Sequence, residues 1–257
     1  MAIDGRIVYR GPPRPGVIVA DDLGRRSLYL DGDTLQSRMI LDDPVRLCMG
    51  YSQAMMCALF FQPAPRQVLL VGLGGGSLVK FLLEFCPEAA VEVVEIDPEI
   101  VAVAHRFFSL PDKDPRLRIT VASGEEVVAA RLAADERYDL LLLDAFDDNG
   151  PARALLEGEF LRRCRGLLSP AGVFAMNLWN RPVDNFPAIH AGIASVFGDR
   201  TLKLLLAESY GNAIVFGFLQ TLRVQALPQL KGAAGSLGRR TGINFIRFLR
   251  QLHWQNS

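Results

Sequence analysis

Residues 67–77 read QVLLVGLGGGS, an apolar run that stops at a cluster of glycines. A helical pattern follows, and a second apolar run at residues 91–96 contains Glu95. This order of strand, tight glycine turn, helix, strand and acid is typical of the nucleotide-binding half of an open α/β sheet. The glycines let the backbone turn sharply and approach a ligand closely. An acid at the end of the second strand can bind both hydroxyls of a ribose, so we predict a nucleoside-type ligand.

The bulk composition limits the class of protein. A chain of 257 residues, half of them hydrophobic, allows one large α/β domain with a small appendage. Lys plus Arg equals Asp plus Glu at 28 each, which argues against a nucleic-acid or membrane-surface partner. The 4 cysteines are scattered without metal-ligand spacing, so we predict no metal. With no apolar signal segment at its start, the chain is expected to be cytoplasmic.

Changes in sequence pattern predict four segments. Residues 1–43 read as short strands between turns, forming a small N-terminal β domain. Residues 44–66 are predicted as a linking helix that begins at Pro44, a residue suited to a first helical turn. Residues 67–222 form the Rossmann-like domain. Residues 223–257 are predicted as a helical tail, which is either docked on the protein or part of a subunit contact.

Strand and helix patterns alternate through the large domain. Asp97 and Ser123 are predicted to cap the helices that follow the second and third strands. The alternation predicts a doubly wound, mostly parallel, seven-stranded sheet with helices on both faces. The predicted strands are residues 68–71, 91–96, 117–121, 138–143, 173–177, 202–207 and 213–219, with the last two as an antiparallel pair at the edge.

Asp144 and Asp147 follow the fourth predicted strand, in the segment LDAFDDNGP. Ligands of such sheets bind outside the carboxyl ends of the strands. One interpretation is a solvated loop that caps the next helix. The other is a pair of carboxylates that binds a cationic amine and removes its proton. Since an alkylamine has a pKa of ~10, one carboxylate would bind the cation and the other would act as base.

The chain resembles the spermidine synthase (polyamine aminopropyltransferase) family, which is built on the Rossmann-like fold of S-adenosylmethionine-dependent methyltransferases. The resemblance covers roughly residues 27 to 220. The most specific pieces are Glu95-Ile96-Asp97-Pro98 and the spacing of Asp144 and Asp147. The other matching positions are Leu30-Asp31-Gly32, Gln36, Tyr51, the glycine turn, and Gly150-Pro151.

The resemblance implies a role for each matching residue. Glu95 would bind the ribose and Ile96 would pack against the adenine. Asp144 would accept the proton of the amine, and Asp147 would hold the acceptor amine. The remaining implied positions are Gln36 and Tyr51 at the donor and acceptor ends, and Gly72, Gly74, Gly75, Gly76, Ser123 and Gly124 around the donor. Trp179, after the fifth strand, is either a wall of the substrate pocket or plain core.

Two departures from the family pattern bear on the donor. Gly75 stands where the family carries an acid that holds the propylamine of the donor. Ser123 stands where the family carries an acid that meets the adenine. Losing a carboxylate that faces a buried ammonium leaves the charge unpaired, so the donor is left open between decarboxylated and ordinary S-adenosylmethionine. Glu125 and Glu126, at the start of the following helix, are predicted as surface acids that complement its dipole.

The resemblance implies an enzyme that transfers an aminopropyl group to a polyamine-type amine. The sulfur of the donor leaves as a neutral thioether, so the reaction requires no metal. The family also implies a homodimer. Two alternatives remain from the sequence. One is a methyltransferase that uses ordinary S-adenosylmethionine, and the other is a non-catalytic paralogue that binds methylthioadenosine.

Overall fold

The computed structural model describes residues 3, 5–12, 16–30, 32, 34–147, 150–179, 186–206, 211–220 and 227–254. Over these residues no helix is long and apolar enough to cross a membrane. The N-terminal segment forms a four-stranded antiparallel sheet in sequence order. Its strands are β1 (Arg6–Arg10), β2 (Ile18–Asp22), β3 (Arg25–Leu30) and β4 (Thr34–Ile40).

The predicted single helix from Pro44 is wrong. Helix α1 covers only Gly50–Met55 and continues as a 3-10 helix over Met56–Phe60. Asp43 forms a β-bridge with Ile40, and its carbonyl accepts from the N–H of Arg46 at 3.2 Å. These turn contacts hold the chain around Pro44 in a turn, so the helix begins later than the proline alone suggests.

The rest of the chain forms an α/β sheet and a small hairpin. The strands are β5 (Gln67–Val71), β6 (Ala90–Glu95), β7 (Leu117–Val121), β8 (Tyr138–Leu143), β9 (Phe146–Asp147), β10 (Gly150–Pro151), β11 (Leu168–Trp179), β12 (Thr201–Leu205), β13 (Asn212–Phe218) and β14 (Leu252–Trp254). The sheet order is β14-β12-β13-β11-β8-β5-β6-β7, while β9 and β10 pair with each other. Strands β11, β8, β5, β6 and β7 are parallel neighbours, and β13 is antiparallel to β11 and β12.

The predicted seven-stranded, mostly parallel sheet is confirmed, and β14 adds a short eighth strand at its edge. The helices are α2 (Ser77–Phe85), α3 (Pro98–Phe107), α4 (Gly124–Ala133), α5 (Gly158–Gly166), α6 (Phe186–Phe197), α7 (Leu227–Thr241) and α8 (Ile246–Leu249), with a 3-10 helix at Arg153–Leu156. Asp97 caps α3 by accepting from the N–H of Glu99 at 2.8 Å. Ser123 caps α4 by accepting from the N–H of Glu126 at 3.2 Å. Both predicted caps are confirmed.

Both faces of the sheet are buried, which explains the continuous apolar strands. Along β5, Val68 and Leu70 belong to one core cluster, whereas Leu69 and Val71 belong to the other. The helical layers therefore cover both faces. The carboxyl ends of the parallel strands meet at one edge of the sheet.

The C-terminal tail is docked on the protein. Phe245 and Phe248 are buried, and the ring of Phe245 meets that of Phe60 edge-on at 5.7 Å. The tail is not wholly helical as predicted, because β14 pairs with β12 through Leu202 and Trp254. Without β14, the edge of β12 would present unpaired backbone donors and acceptors.

Candidate active site

The glycine loop between β5 and α2 lies against the segment that follows β8. Gly72 has φ +94°, and a Cβ there would lie 2.2 Å from the carbonyl oxygen of Asp144. The N–H of Gly72 donates to the carbonyl of Val94 at 2.8 Å, and the N–H of Asp144 donates to that of Val71 at 2.9 Å. Only glycine allows this close approach. The loop therefore joins the carboxyl ends of β6 and β8.

Glu95 lies at the end of β6 and is 9% exposed. One carboxylate oxygen accepts from the N–H of Leu73 at 2.9 Å, and the other accepts from the N–H of Asp97 at 3.1 Å. Burial raises the pKa of Glu95, and these backbone hydrogen bonds oppose the rise. The carboxylate is therefore held in one orientation by the glycine loop. Each oxygen has a further lone pair with which to accept a ribose hydroxyl.

Three other residues predicted around the donor either follow Glu95 directly or lie at the start of α4, after the neighbouring strand β7. Ile96 follows it directly and is 72% exposed, which leaves apolar surface for a purine. The hydroxyl of Ser123 accepts the capping hydrogen bond of α4. A Cβ on Gly124 would lie 2.8 Å from Val71, so this glycine lets α4 pack against β5. The contact of each residue with a ligand stays a prediction.

Asp144 follows β8 and is partly buried. Its Oδ1 accepts from Nδ2 of Asn177 at 2.9 Å. Burial raises the pKa of Asp144 to about 6, and the Asn177 hydrogen bond opposes that rise. The carboxylate is thus ionised at neutral pH but more basic than an ordinary Asp. These are the properties of a general base.

Two buried asparagines behind Asp144 were missed by the sequence reasoning. Asn177 in β11 and Asn212 in β13 are 3% and 7% exposed. Nδ2 of Asn212 donates to Oδ1 of Asn177 at 2.9 Å. A polar side chain inside an otherwise apolar strand was the available signal. Its partner was not predictable without the sheet order.

The N-terminal sheet also contributes to the site. The hydroxyl of Ser37 in β4 accepts from the N–H of Gly75 at 2.9 Å. The Tyr51 hydroxyl donates to the carbonyl of Gln36 at 3.1 Å. Burial raises the pKa of Tyr51 well above its ordinary value, and the charge of Asp144 adds to this. Tyr51 is therefore a neutral phenol beside Asp144, and Ser37 is a site residue that the sequence did not indicate.

The position of Gly75 is closely packed. A Cβ there would lie 2.9 Å from the ring of Phe108 and 3.0 Å from Cβ of Ser37. The ammonium of the buried Lys80 donates to the carbonyl of Phe108 and contacts Sδ of Met39 at 3.2 Å. An acid in place of Gly75 would therefore require Phe108 to move. The departure from the family pattern at this position is accompanied by packing that suits glycine.

An aromatic pair follows the strand ends on the other side of Asp144. The rings of Phe146 in β9 and Trp179 in β11 lie 5.2 Å apart with an interplanar angle of 32°. Trp179 is thus partly buried beside the loop that carries Asp144, which favours the interpretation as a wall of the pocket. The side chain of Asp147 and the whole of Asp31 lie outside the described residues, so the predicted role of Asp147 stays a prediction.

The structure brings the two principal acids to the same loop. Leu73 donates to Glu95, and Gly72 packs against the backbone of Asp144. Glu95 and Asp144 are therefore linked through two adjacent residues of one glycine loop. Among the described residues, no group of 3 or more His, Cys, Asp or Glu side chains is placed to hold a metal ion.

Comparison with known proteins identifies the family. A family model described as spermine/spermidine synthase domain matches residues 49–189. The chain belongs to the spermine/spermidine synthase family. A member, the polyamine aminopropyltransferase of Chromobacterium violaceum, is 34% identical over 95% of this chain and 91% of that protein. The human eEF1A lysine and N-terminal methyltransferase is 31% identical over 77% of this chain but only 30% of that protein.

Solved structures show the same fold as this family member. Spermidine synthase from Thermotoga maritima superimposes with a TM-score of 0.73 at 21% identity, covering 98% of this chain and 85% of that one. Human methyltransferase-like protein 13 in complex with SAH gives a TM-score of 0.67 at 29% identity, covering 82% of this chain and 97% of that one.

Proposed function

We propose that this protein is a polyamine aminopropyltransferase, which transfers the aminopropyl group of decarboxylated S-adenosylmethionine to a diamine. The observation that carries the proposal is that Glu95 and Asp144 flank one glycine loop, through Leu73 and Gly72. One acid is suited to a ribose and the other to the proton of an amine. The aminopropyltransferase relatives, which match nearly the whole chain, support the same activity.

The reaction is a displacement at the carbon next to the sulfonium. The acceptor ammonium first gives its proton to the Asp144 carboxylate. The neutral nitrogen then attacks the carbon, the carbon–sulfur bond breaks, and its electron pair stays on sulfur. Methylthioadenosine leaves as a neutral thioether, so the step requires no acid for the leaving group. The contribution of the protein is positioning and an electrostatic environment.

The raised pKa of Asp144 makes the proton transfer less costly. An alkylammonium has a reference pKa of ~10.4, so its deprotonation by an ordinary carboxylate costs about 9 kcal/mol. With the pKa of Asp144 raised from 3.8 to about 6, that cost falls to about 6 kcal/mol. The gain of about 3 kcal/mol is about a hundredfold in the population of neutral amine. Burial of Asp144 therefore assists the reaction at the pH where the carboxylate is still ionised.

Asp147 is proposed to bind the acceptor ammonium, since it follows the base by three residues in the sequence. Asp147→Asn is expected to raise KM for the diamine while leaving the affinity for methylthioadenosine unchanged. We also propose a cytoplasmic homodimer, as the family suggests. Light scattering of the purified protein tests the dimer, and a monomer would contradict it.

A second candidate is a methyltransferase that uses ordinary S-adenosylmethionine. The observation that favours it is Gly75, because Phe108 and Ser37 fill the space into which an acid for the propylammonium of the donor would point. A donor that bears a carboxylate does not require that acid. The methyltransferase relative is consistent with this candidate, although the chain spans a minor part of it.

One assay separates the candidates. The protein is incubated with putrescine and either decarboxylated or ordinary S-adenosylmethionine, and the nucleoside products are resolved by chromatography. We expect methylthioadenosine from the decarboxylated donor and no product with Asp144→Asn. S-adenosylhomocysteine from the ordinary donor would support the methyltransferase. Absence of both products, with a thermal shift on adding methylthioadenosine, would leave the non-catalytic paralogue.

A further inference from the structure

A chain of two buried amides ends on the carboxylate of Asp144. Nδ2 of Asn212 donates to Oδ1 of Asn177 at 2.9 Å, and Nδ2 of Asn177 donates to Oδ1 of Asp144 at 2.9 Å. The amides lie on the antiparallel neighbours β11 and β13, among buried apolar residues such as Met176, Leu178 and Ala213. Buried amides are costly unless they are paired, so this alignment is a specific feature of the fold.

The two hydrogen bonds that join Asn212, Asn177 and Asp144 can run in only one direction. An ionised carboxylate only accepts hydrogen bonds, so Asn177 must present its NH₂ group to Asp144. Its carbonyl oxygen then points to the other side, where the NH₂ group of Asn212 meets it. If the amide of Asn177 were reversed, two oxygens would face each other at Asp144 and two NH₂ groups would face each other at Asn212. Asn212 therefore fixes the orientation of Asn177 without a direct hydrogen bond to Asp144.

We infer that Asn177 and Asn212 form a positioning relay that orients the carboxylate of Asp144 for proton acceptance. The inference rests on the proposed function, in which Asp144 is the base. Because Asn177 engages Oδ1, Oδ2 is the oxygen assigned to receive the proton from the amine. The two asparagines act through Asp144, and Glu95 holds the ribose independently of them.

Loss of the relay should change the pH dependence of kcat. A hydrogen bond donated to the ionised form lowers the pKa of a carboxylate, so loss of the relay raises the pKa of Asp144 further. The charge of Asp144 also helps to raise the pKa of Tyr51, so Tyr51 stays a neutral phenol across the range and does not titrate with Asp144. The acidic limb of the kcat profile should therefore move to higher pH when the relay is broken.

The test measures kcat and KM against pH, with decarboxylated S-adenosylmethionine and putrescine, for variants of Asn177 and Asn212 and for a control variant. Asn177→Leu is expected to move the acidic limb up by about one pH unit. It should also lower kcat about 10- to 100-fold, because the cost of a misplaced carboxylate exceeds the gain from its higher basicity. Asn212→Leu should act in the same direction but less strongly. Affinity for methylthioadenosine, measured by calorimetry, should stay within about twofold of wild type because Glu95 is untouched. Ser27→Ala removes a buried hydroxyl of the N-terminal sheet that accepts from Arg38, and it should leave the profile unchanged.

Asn212→Asp gives the sharpest comparison with Asn212→Leu. Its carboxylate accepts a hydrogen bond from the NH₂ group of Asn177 and so reverses that amide, which turns a carbonyl oxygen toward Asp144. We expect a larger loss of kcat than in Asn212→Leu, although Asp has nearly the shape of Asn. An equal or smaller loss would contradict the directional relay.

Failure of the relay and failure of the proposed function are distinguishable. If Asp144→Asn keeps its turnover, Asp144 is not the base and the proposed mechanism fails. If Asp144→Asn is inactive while Asn177→Leu keeps the wild-type kcat and acidic limb, only the relay is overturned. Asn212→Leu carries the same test if Asn177→Leu does not fold, because it reaches Asp144 only through Asn177.

Discussion

Replacing Asp144 by Asn is expected to abolish turnover and, at the same time, to stabilise the fold. The variant lacks the carboxylate that accepts the proton of the amine. Its amide is nearly isosteric with the carboxylate, and its oxygen can still accept from Nδ2 of Asn177. The substitution therefore removes a partly buried charge while it preserves the hydrogen bond. Opposite effects on activity and stability are the expected mark of a residue retained for function.

The size of the effect follows from the pKa. Burial raises the pKa of Asp144 from 3.8 to about 6, and a difference of about 2 units corresponds to about 3 kcal/mol. The folded state binds this proton more tightly than the unfolded state, so the free energy of unfolding falls as the pH rises between these values. Above pH ~6 the full cost of the charge is present. Because Asp144 is partly exposed, we expect a stabilisation of about 1 to 3 kcal/mol in Asp144→Asn at pH 8.

Urea denaturation followed by circular dichroism measures this difference. The stabilisation should be full at pH 8 and should shrink at pH 4, where Asp144 of the wild type is protonated in the folded state. Asp139→Asn at the start of β8 is a matched control. Its carboxylate accepts from the backbone N–H groups of Arg66 and Gln67 at 2.8 and 3.2 Å, so this variant should lose stability. A destabilised Asp144→Asn, or a stability difference from wild type that does not change with pH, would contradict this expectation.

Three further predictions concern the nucleoside site and the glycine loop. Glu95→Gln should weaken methylthioadenosine binding about 10- to 100-fold by calorimetry, since a charged acceptor of the ribose hydroxyls is lost; unchanged affinity would place the nucleoside elsewhere. Gly72→Ala should lower the free energy of unfolding by about 2 to 4 kcal/mol, because its Cβ would overlap the backbone of Asp144; an unchanged urea midpoint would contradict this. Gly75→Asp alone should lose activity because its side chain collides with Phe108, whereas Gly75→Asp with Phe108→Ala should have a lower KM than wild type for the decarboxylated donor. A lower KM in Gly75→Asp alone would show that Phe108 does not exclude an acid from this position.

The positions of Glu95 and Asp144 at the strand ends were predictable from the strand pattern. Glu95 and Asp144 each end an apolar run, and the carboxyl ends of parallel strands meet at one edge of a sheet. The caps at Asp97 and Ser123 were predictable for a similar reason, since both depend on residues a few positions away. Local signals that agree with the sheet pattern therefore predicted where these strands and helices end.

Contacts between distant segments were beyond the same reasoning. Ser37 meets Gly75 because the N-terminal sheet packs over the glycine loop, and no local pattern reports that packing. Asn177 meets Asp144 because β11 lies beside β8, and Asn212 completes the chain from β13. The predicted helix start at Pro44 was wrong for the opposite reason. A favourable local signal was overridden by the turn that Asp43 makes with the preceding strand.

A crystal structure of the protein with methylthioadenosine would show whether one nucleoside reaches both Glu95 and Asp144. We expect both ribose hydroxyls within hydrogen-bond distance of Glu95, the purine over Ile96, and the methylthio group facing the carboxylate of Asp144. A nucleoside bound away from Glu95, or one whose sulfur points away from Asp144, would rule out the proposed site.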